Sequence, residues 1–158
     1  MSVWMPGYHS DAARTHAVGE VSEEAKKLIQ VTKECFFEGI KYAKAGNHLF
    51  DISGAIGRYA EERGYGVVRD LCGHGIGTAL HEAPEIPNYE VGRKGVKLRP
   101  GMTLAIEPMI NIGTYEVDWL DDDWTVVTRD GSLSAHYENT ILITEGEPRI
   151  LSLTCDNE

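Results

Sequence analysis

The chain contains 158 residues and carries a formal net charge of -10. This length suffices for one domain with a sizeable core, so we expect a single domain over residues 1–158. The acidic balance argues against nucleic acid or an anionic membrane as a main partner, because either requires a basic face. Cys35, Cys72 and Cys155 are too few and too far apart to predict a disulfide framework. Without a recognisable signal peptide or membrane-spanning run, a cytoplasmic location is predicted.

The first part of the chain predicts a pair of strands followed by a helix. Val3–Met5 and Tyr8–Thr15 have the character of strands on either side of a Pro-Gly turn. Ser22, followed by two glutamates, is a typical helix N-cap. Apolar residues then recur at helical spacing from Leu28 to Ala43, which predicts one long helix.

The rest of the chain predicts a second helix and then a run of strands. Asn47 can cap a helix from Leu49 to Arg63, and Arg129–Gly131 has the composition of a hairpin turn. This order of a strand pair, two helices and several antiparallel strands predicts an α+β fold with both long helices on one side of the sheet. The later strands are predicted at Met102–Ile110, Trp124–Thr128 and Ser134–Thr144.

The glycine-rich segment from Cys72 to Pro84 is the most informative part of the sequence. It places His74 and His81 seven residues apart around a turn that an ordinary core would not need. Its glycines at positions 73, 75 and 77 permit positive φ angles and a close approach of the backbone to whatever His74 holds. The segment therefore indicates a binding site built around His74.

Two carboxylates occur in apolar runs further along the chain. Glu107 precedes a proline in one predicted strand, and Glu138 lies within the last predicted strand. A buried carboxylate must be paired, hydrogen-bonded or bound to a metal. With Asp11 and His74 also available, a divalent metal is the simplest explanation. An oxygen-rich set with one imidazole suits Mn, Fe, Co or Zn.

Five motifs carry a resemblance to a known family. They are GYHSD at 7–11, the segment 72–84, MTLAIEP at 102–108, WTV at 124–126 and SAHYE at 134–138. In their order and spacing they closely resemble the type I methionine aminopeptidases, over nearly the whole chain. The resemblance implies a pita-bread fold and the hydrolytic removal of N-terminal methionine. The implied partner is the N-terminus of a peptide or a nascent chain.

The resemblance also implies roles for individual residues. Asp11, His74, Glu107 and Glu138 match metal ligands, with Asp11 and Glu138 bridging two metal positions. Two of the matched residues are implied to be catalytic. Glu107 would pass a proton towards the leaving amine, and His81 would hydrogen-bond the substrate and the tetrahedral intermediate. A positioned acid or base of this kind contributes roughly 10²–10⁴-fold in rate.

The matches to substrate-binding positions are less uniform. Besides His81, Trp124 matches a wall of the methionine pocket and Cys72 a neighbour of that pocket. Leu80 stands where some family members have phenylalanine. His136 occupies a position that is often glutamine in the family, and the resemblance gives it no role.

One family ligand has no counterpart in this sequence. The family places a further metal-binding aspartate on the strand before Asp11, and that position falls before Met1. We therefore expect a catalytic domain truncated just after this aspartate and corresponding to a partial pita-bread fold. One tight metal site, a weakened second site and impaired activity are the expected consequences.

Three further expectations follow from this interpretation. The first is an alternative function, in which a non-catalytic half of the fold binds metal or a partner chain without turnover. A relative that acts on Xaa-Pro bonds is disfavoured by the motifs around His74 and Glu138. An uncovered sheet edge and apolar face would also favour self-association, most simply as a homodimer.

Overall fold

The computed structural model of the protein describes residues 1–153, so Cys155 lies outside the described residues. The chain begins with two paired strands, β1 (Ser2–Met5) and β2 (Tyr8–Arg14). They are joined by a tight turn in which Gly7 has a φ of 100°, a conformation that favours glycine. The predicted strand pair is confirmed.

Two helices follow, α1 (Glu23–Ile40) and α2 (Leu49–Glu61). The Ser22 hydroxyl caps α1 as predicted and accepts a hydrogen bond from the Ala25 amide at 3.1 Å. The predicted cap of α2 was wrong by one residue. His48 is the N-cap, and its backbone N–H donates to the Asp51 carboxylate at 2.8 Å. Within the described residues, neither helix is long and apolar enough to cross a membrane.

Nine short strands occupy the rest of the described chain. Two predictions need correction. The strand expected at 102–110 is interrupted by Glu107 and Pro108, and Arg129–Gly131 does not close a hairpin, because the strands flanking it pair elsewhere. The strands are β3 (Gly66–Val67), β4 (Gly73–Gly75), β5 (Glu82–Ile86), β6 (Thr103–Ile106), β7 (Met109–Asn111), β8 (Val117–Trp119), β9 (Val126–Thr128), β10 (Ser134–Leu142) and β11 (Arg149–Ile150).

Strand β10 organises the main sheet. Within the described residues, the sheet runs β1-β2-β10-β6-β4-β5, with β7 and β11 also paired to β10 and β3 paired to β7. Every pairing in it is antiparallel, and β8 and β9 form a separate small sheet. The α+β prediction, with an antiparallel sheet and two long helices, is confirmed.

The helices cover one face of this sheet. Tyr137 of β10 packs against Phe36 of α1, with ring centroids 5.3 Å apart, and both belong to the hydrophobic core. Successive side chains on a strand point to opposite faces. His136 and Glu138 therefore project from the face that α1 does not cover, which is where the candidate site lies.

Candidate metal centre

Four strands bring the predicted metal ligands together. Asp11 lies on β2, His74 on β4, Glu107 directly after β6 and Glu138 on β10. Because these strands are neighbours in the order β2-β10-β6-β4, residues distant in sequence meet on one face. Ligand atoms of Asp11, His74 and Glu138 all lie within 4.8 Å of one another. Glu107 lies beside this group, and its Oε1 atom is 3.5 Å from Nε2 of His74.

His74 is oriented by its own strand. Its Nδ1 atom lies 2.8 Å from the carbonyl oxygen of Gly75. A carbonyl can only accept a hydrogen bond, so in the neutral ring Nδ1 carries the proton and Nε2 keeps a free lone pair. The Nε2 atom faces the carboxylates, so the buried ring presents a metal-ligating nitrogen to the cluster.

The glycines around His74 serve a different purpose from the one predicted. Gly73, Gly75 and Gly77 do not have positive φ angles. Instead, a Cβ atom at Gly75 would overlap the carbonyl oxygen of Ala83, and one at Gly73 would overlap that of Ala105. These glycines therefore let β4 lie closely between β5 and β6, and this close packing holds His74 at the site.

Asp11 is held through its backbone by Thr140. The Thr140 hydroxyl accepts a hydrogen bond from the Asp11 N–H and donates one to the Asp11 carbonyl, both at 2.9 Å. The Asp11 carboxylate also accepts a hydrogen bond from the Ser2 hydroxyl at 2.9 Å. The carboxylate is thus fixed next to Glu138 across the β2-β10 pair.

Glu138 is the most perturbed carboxyl of the group. Burial, followed by the negative charges of Glu107 and Asp11, raises its pKa to about 8. Its side chain is buried near the centre of the sheet, so its charged form lacks solvation by water. A divalent cation among the three carboxylates would relieve this repulsion.

A cavity of about 830 Å³ opens beside the cluster. His81 and Cys72 lie in its wall, and the His81 ring meets that of His74 edge to face at a centroid distance of 4.4 Å. Burial raises the pKa of the Cys72 thiol, so the residue suits a wall better than a nucleophile. The complete lining consists of Leu71, Cys72, Gly73, His74, His81, Glu82, Ala83, Glu85, Glu107, Met109 and His136.

The structure does not bring the other two predicted substrate-binding residues to this cavity. Trp124 lies just before β9 with 86% of its surface exposed, and Leu80 is partly buried outside the lining. Trp124 belongs to the segment that joins β8 and β9, which pair with each other rather than with the main sheet. Their roles in substrate binding stay predictions.

Sequence reasoning gave no role to His136 or Met109, which both line the cavity. His136 forms a second group of possible ligands with Glu107 and Glu138, and Met109 lies opposite it in the β7-β10 register. The signal for His136 was present in the sequence, because a residue two positions before Glu138 on a strand must share its face. Met109 gave no such signal, since its location depends on the break after β6.

Comparison with known proteins identifies the family. The profile of metallopeptidase family M24 matches residues 1–145. The chain belongs to this family. It is 60% identical over 147 residues to a methionine aminopeptidase of Clostridium acetobutylicum, and the match covers 93% of this chain and 59% of that protein. The chain therefore spans about three-fifths of the length of this M24 relative.

Solved structures give the same result for the fold. A methionine aminopeptidase from Thermotoga maritima has a TM-score of 0.91 at 49% identity, with 94% of this chain and 59% of that chain covered. A prolidase from Pyrococcus furiosus has a TM-score of 0.74 at 27% identity, covering 97% of this chain and 40% of the other. The predicted resemblance to methionine aminopeptidases and their fold is confirmed.

Membership of M24 implies a divalent metal, and the residues present fit one. The cluster offers carboxylate oxygens together with the lone pair of His74 Nε2, a donor set suited to first-row divalent metals. It also holds negative charge that burial penalises, as the raised pKa of Glu138 shows. Asp11, His74, Glu107 and Glu138 are the residues that would bind the ion.

Proposed function

We propose that this chain is a metal-dependent aminopeptidase that removes N-terminal methionine from peptides and nascent proteins. The observation that carries the proposal is that Asp11, His74, Glu107 and Glu138 meet beside a cavity whose wall includes apolar side chains. The high identity to methionine aminopeptidases supports the same reaction. A cytoplasmic location, as the sequence predicts, belongs to this proposal.

The bound metal is proposed to be Mn, Fe, Co or Zn, in one tight site and a second, weaker one. Such an ion lowers the pKa of bound water and polarises a carbonyl group, which is the chemistry that peptide hydrolysis requires. In the described residues, the tight site draws on Asp11, His74, Glu107 and Glu138.

Two side chains are proposed to act on the substrate. Glu107 has only 13% of its side chain exposed, lines the cavity and faces two imidazoles, which supports the proposal that it moves a proton to the leaving amine. His81 is exposed to the cavity and packs edge-on against His74. An N–H of its ring is available to hydrogen-bond an oxyanion beside the cluster.

The cavity walls suit an unbranched, apolar side chain. Leu71, Cys72 and Met109 provide weakly polar or apolar surface, next to the acidic cluster that would bind the reacting end of the substrate. A methionine side chain is flexible and polarisable, and it packs well against such surfaces. We therefore propose that substrates begin with methionine and that bonds in Xaa-Pro substrates are not cleaved.

Turnover of a Met-Ala-containing peptide with Mn²⁺ or Co²⁺ tests the proposal. We expect activity well below that of the Clostridium acetobutylicum relative, because this chain spans 59% of that protein's length. Glu107→Gln should remove the remaining activity, and a peptide beginning with Xaa-Pro serves as the specificity control. Metal binding without any turnover would instead support the non-catalytic alternative.

A further inference from the structure

We propose that Asn88 is a positioning residue for Glu107 and keeps that carboxylate in place beside the other ligands of the cluster. The inference rests on the proposed function, since it gives Asn88 a purpose only if Glu107 binds a metal. Asn88 belongs to neither group of possible ligands and does not line the cavity. It would therefore act on the metal centre through its contact with Glu107, without touching metal or substrate.

Glu107 lies at a break in the sheet, where the regular ladder gives its backbone little support. Strand β6 ends at Ile106 and β7 begins at Met109, so Glu107 and Pro108 belong to neither strand. Pro108 also has no N–H to donate. The carbonyl oxygen of Glu107 instead accepts a hydrogen bond from the side-chain amide of Asn88, with an Nδ2–O distance of 3.1 Å. This contact ties the break to a segment 19 residues away in the chain.

The carboxylate end of Glu107 is held only loosely. Its Oε1 and Oε2 atoms lie 3.5 Å from Nε2 of His74 and Nε2 of His136, respectively. These distances are longer than those of ordinary hydrogen bonds. The backbone of Asp11, by comparison, is fixed by two hydrogen bonds to one hydroxyl, both at 2.9 Å. The direction of the Glu107 side chain therefore depends on how its backbone is held, and Asn88 is the side chain that holds it.

Asn88 is itself firmly placed. It is only 1% exposed and follows β5 by two residues. The segment that carries it packs directly on α2, because a Cβ atom at Gly57 would come within 2.8 Å of the Tyr89 Cα atom and 3.3 Å of the Asn88 carbonyl oxygen. Ile86, two residues earlier, is fully buried in the hydrophobic core. A buried side chain on such a segment can hold its partner within the small tolerance that a metal site requires.

The other end of the Asn88 side chain points to the same role. Its Oδ1 atom is buried and has no hydrogen-bond partner among the described residues. A buried acceptor without a partner is costly, and a leucine of similar size would avoid that cost while losing the donor. The donor is thus the property that distinguishes asparagine at this position. A brace that merely stabilises the β6–β7 break is the competing explanation, and it predicts a loss of stability without any change in metal binding.

Titration of the metal-free chain with Co²⁺ separates these explanations, because calorimetry measures affinity and the visible absorption of bound Co²⁺ reports its coordination. In Asn88→Leu, which removes the donor, we expect affinity for the tight site to fall at least about tenfold and the absorption to change in position or intensity. The matched control is Asn111→Leu. Asn111 is likewise buried, its Nδ2 donates to the Thr114 carbonyl at 2.8 Å, and its Oδ1 also lacks a partner among the described residues. This control should keep the Co²⁺ affinity within about twofold and the absorption unchanged, because its amide supports no ligand.

Circular dichroism and the thermal midpoint of the metal-free variants establish that they are folded, and Asn88→Ala is a second substitution should Asn88→Leu not fold. Co²⁺ affinity and absorption in the Asn88 variant equal to those of the unaltered chain would overturn the inference. So would equal losses of affinity in the Asn88 and Asn111 variants, because a general loosening of the core would then explain both. Either result would leave the proposed function standing. Failure of the unaltered chain to bind any Co²⁺ would contradict that function and this inference with it.

Discussion

The candidate metal-ligand cluster and the edge strand β1 are two parts of the same sheet whose residues are held very differently. At the cluster, Asp11, His74 and Glu138 are buried, and the strand of each has neighbours on both sides. Glu107 is half-buried and directly follows the inner strand β6. At the edge, β1 pairs only with β2 among the described strands, and Trp4 exposes 63% of its surface. Residues in the first region are fixed by several neighbours at once, whereas those in the second contact few. The same kind of substitution should therefore affect chemistry and folding at the cluster but association at the edge.

Removal of a ligand should give the largest effect. His74→Ala deletes the nitrogen that faces Glu107, and Glu138→Ala deletes the carboxylate common to both ligand groups. We expect either change to abolish the tight site, which means that metal affinity falls by at least about 100-fold. Loss of a residue that only supports a ligand already costs roughly 10- to 100-fold, and loss of the ligand itself should cost more. Calorimetric titration measures this.

The matched control is Glu85→Gln, which neutralises a carboxylate of the same cavity outside both ligand groups. It should leave the tight site within a few-fold of the unaltered chain. Equal losses in all three variants would mean that general charge, and not ligation, determines binding.

Crowding at β4 should give the next largest effect. In Gly75→Ala the new methyl group meets the Ala83 carbonyl, so β4 and β5 must separate. We expect the free energy of unfolding in urea to fall by about 1–3 kcal/mol. Gly146→Ala is the control, because nothing lies within 4 Å of the added atom. An unchanged free energy of unfolding in Gly75→Ala would show that β4 and β5 can accommodate the methyl group without cost, and would contradict this prediction.

Proton competition at Glu138 should have an intermediate effect. Its pKa of about 8 in the folded metal-free chain exceeds the ordinary 4.5, so between these values the folded chain holds a proton that the unfolded chain has lost. The Glu138 contribution therefore lowers metal-free stability as pH rises through this window. Metal binding must displace that proton, so affinity should rise by up to about tenfold per pH unit.

Thermal midpoints with and without Co²⁺, measured from pH 5 to pH 8, test both statements. The gap between the two midpoints should widen as pH rises. In Glu138→Gln, the thermal midpoint of the metal-free chain should lose the part of its pH dependence that Glu138 causes. Co²⁺ should also no longer raise the midpoint of this variant. A gap that narrows towards pH 8 would contradict the assignment.

The edge hairpin should give the smallest effect. Val3, Trp4, Met5 and Tyr8 expose apolar surface on or beside β1, which supports the prediction that the chain self-associates as a dimer. Trp4→Lys should weaken that association by about tenfold, roughly 1.4 kcal/mol, in light scattering at micromolar concentration. Val18→Lys changes an even more exposed apolar residue away from the hairpin and should leave the association unchanged. A monodisperse species near 17.5 kDa for the unaltered chain would overturn the prediction.

The same contrast explains what the sequence could predict. Glu107 and Glu138 stood out because a carboxylate in an apolar run has few explanations, and both helices were visible from their spacing. Trp124 was predicted to line the pocket from the resemblance alone. Its position depends on how the β8–β9 pair is oriented relative to the main sheet, and no local sequence pattern predicts that. The partnership of His136 with Glu107 needed the β6-β10 register, a pairing between distant segments.

The Thr140 hydroxyl has a consequence for hydrogen exchange. The amide proton of Asp11 is donated to a side chain, whereas its neighbours in β2 take part in the backbone ladder with β10. Its exchange with deuterated solvent should therefore depend on one hydroxyl, so that Thr140→Val would expose this amide while leaving the ladder protected. A single backbone position thus provides a reporter, independent of turnover, of whether β2 stays paired with β10.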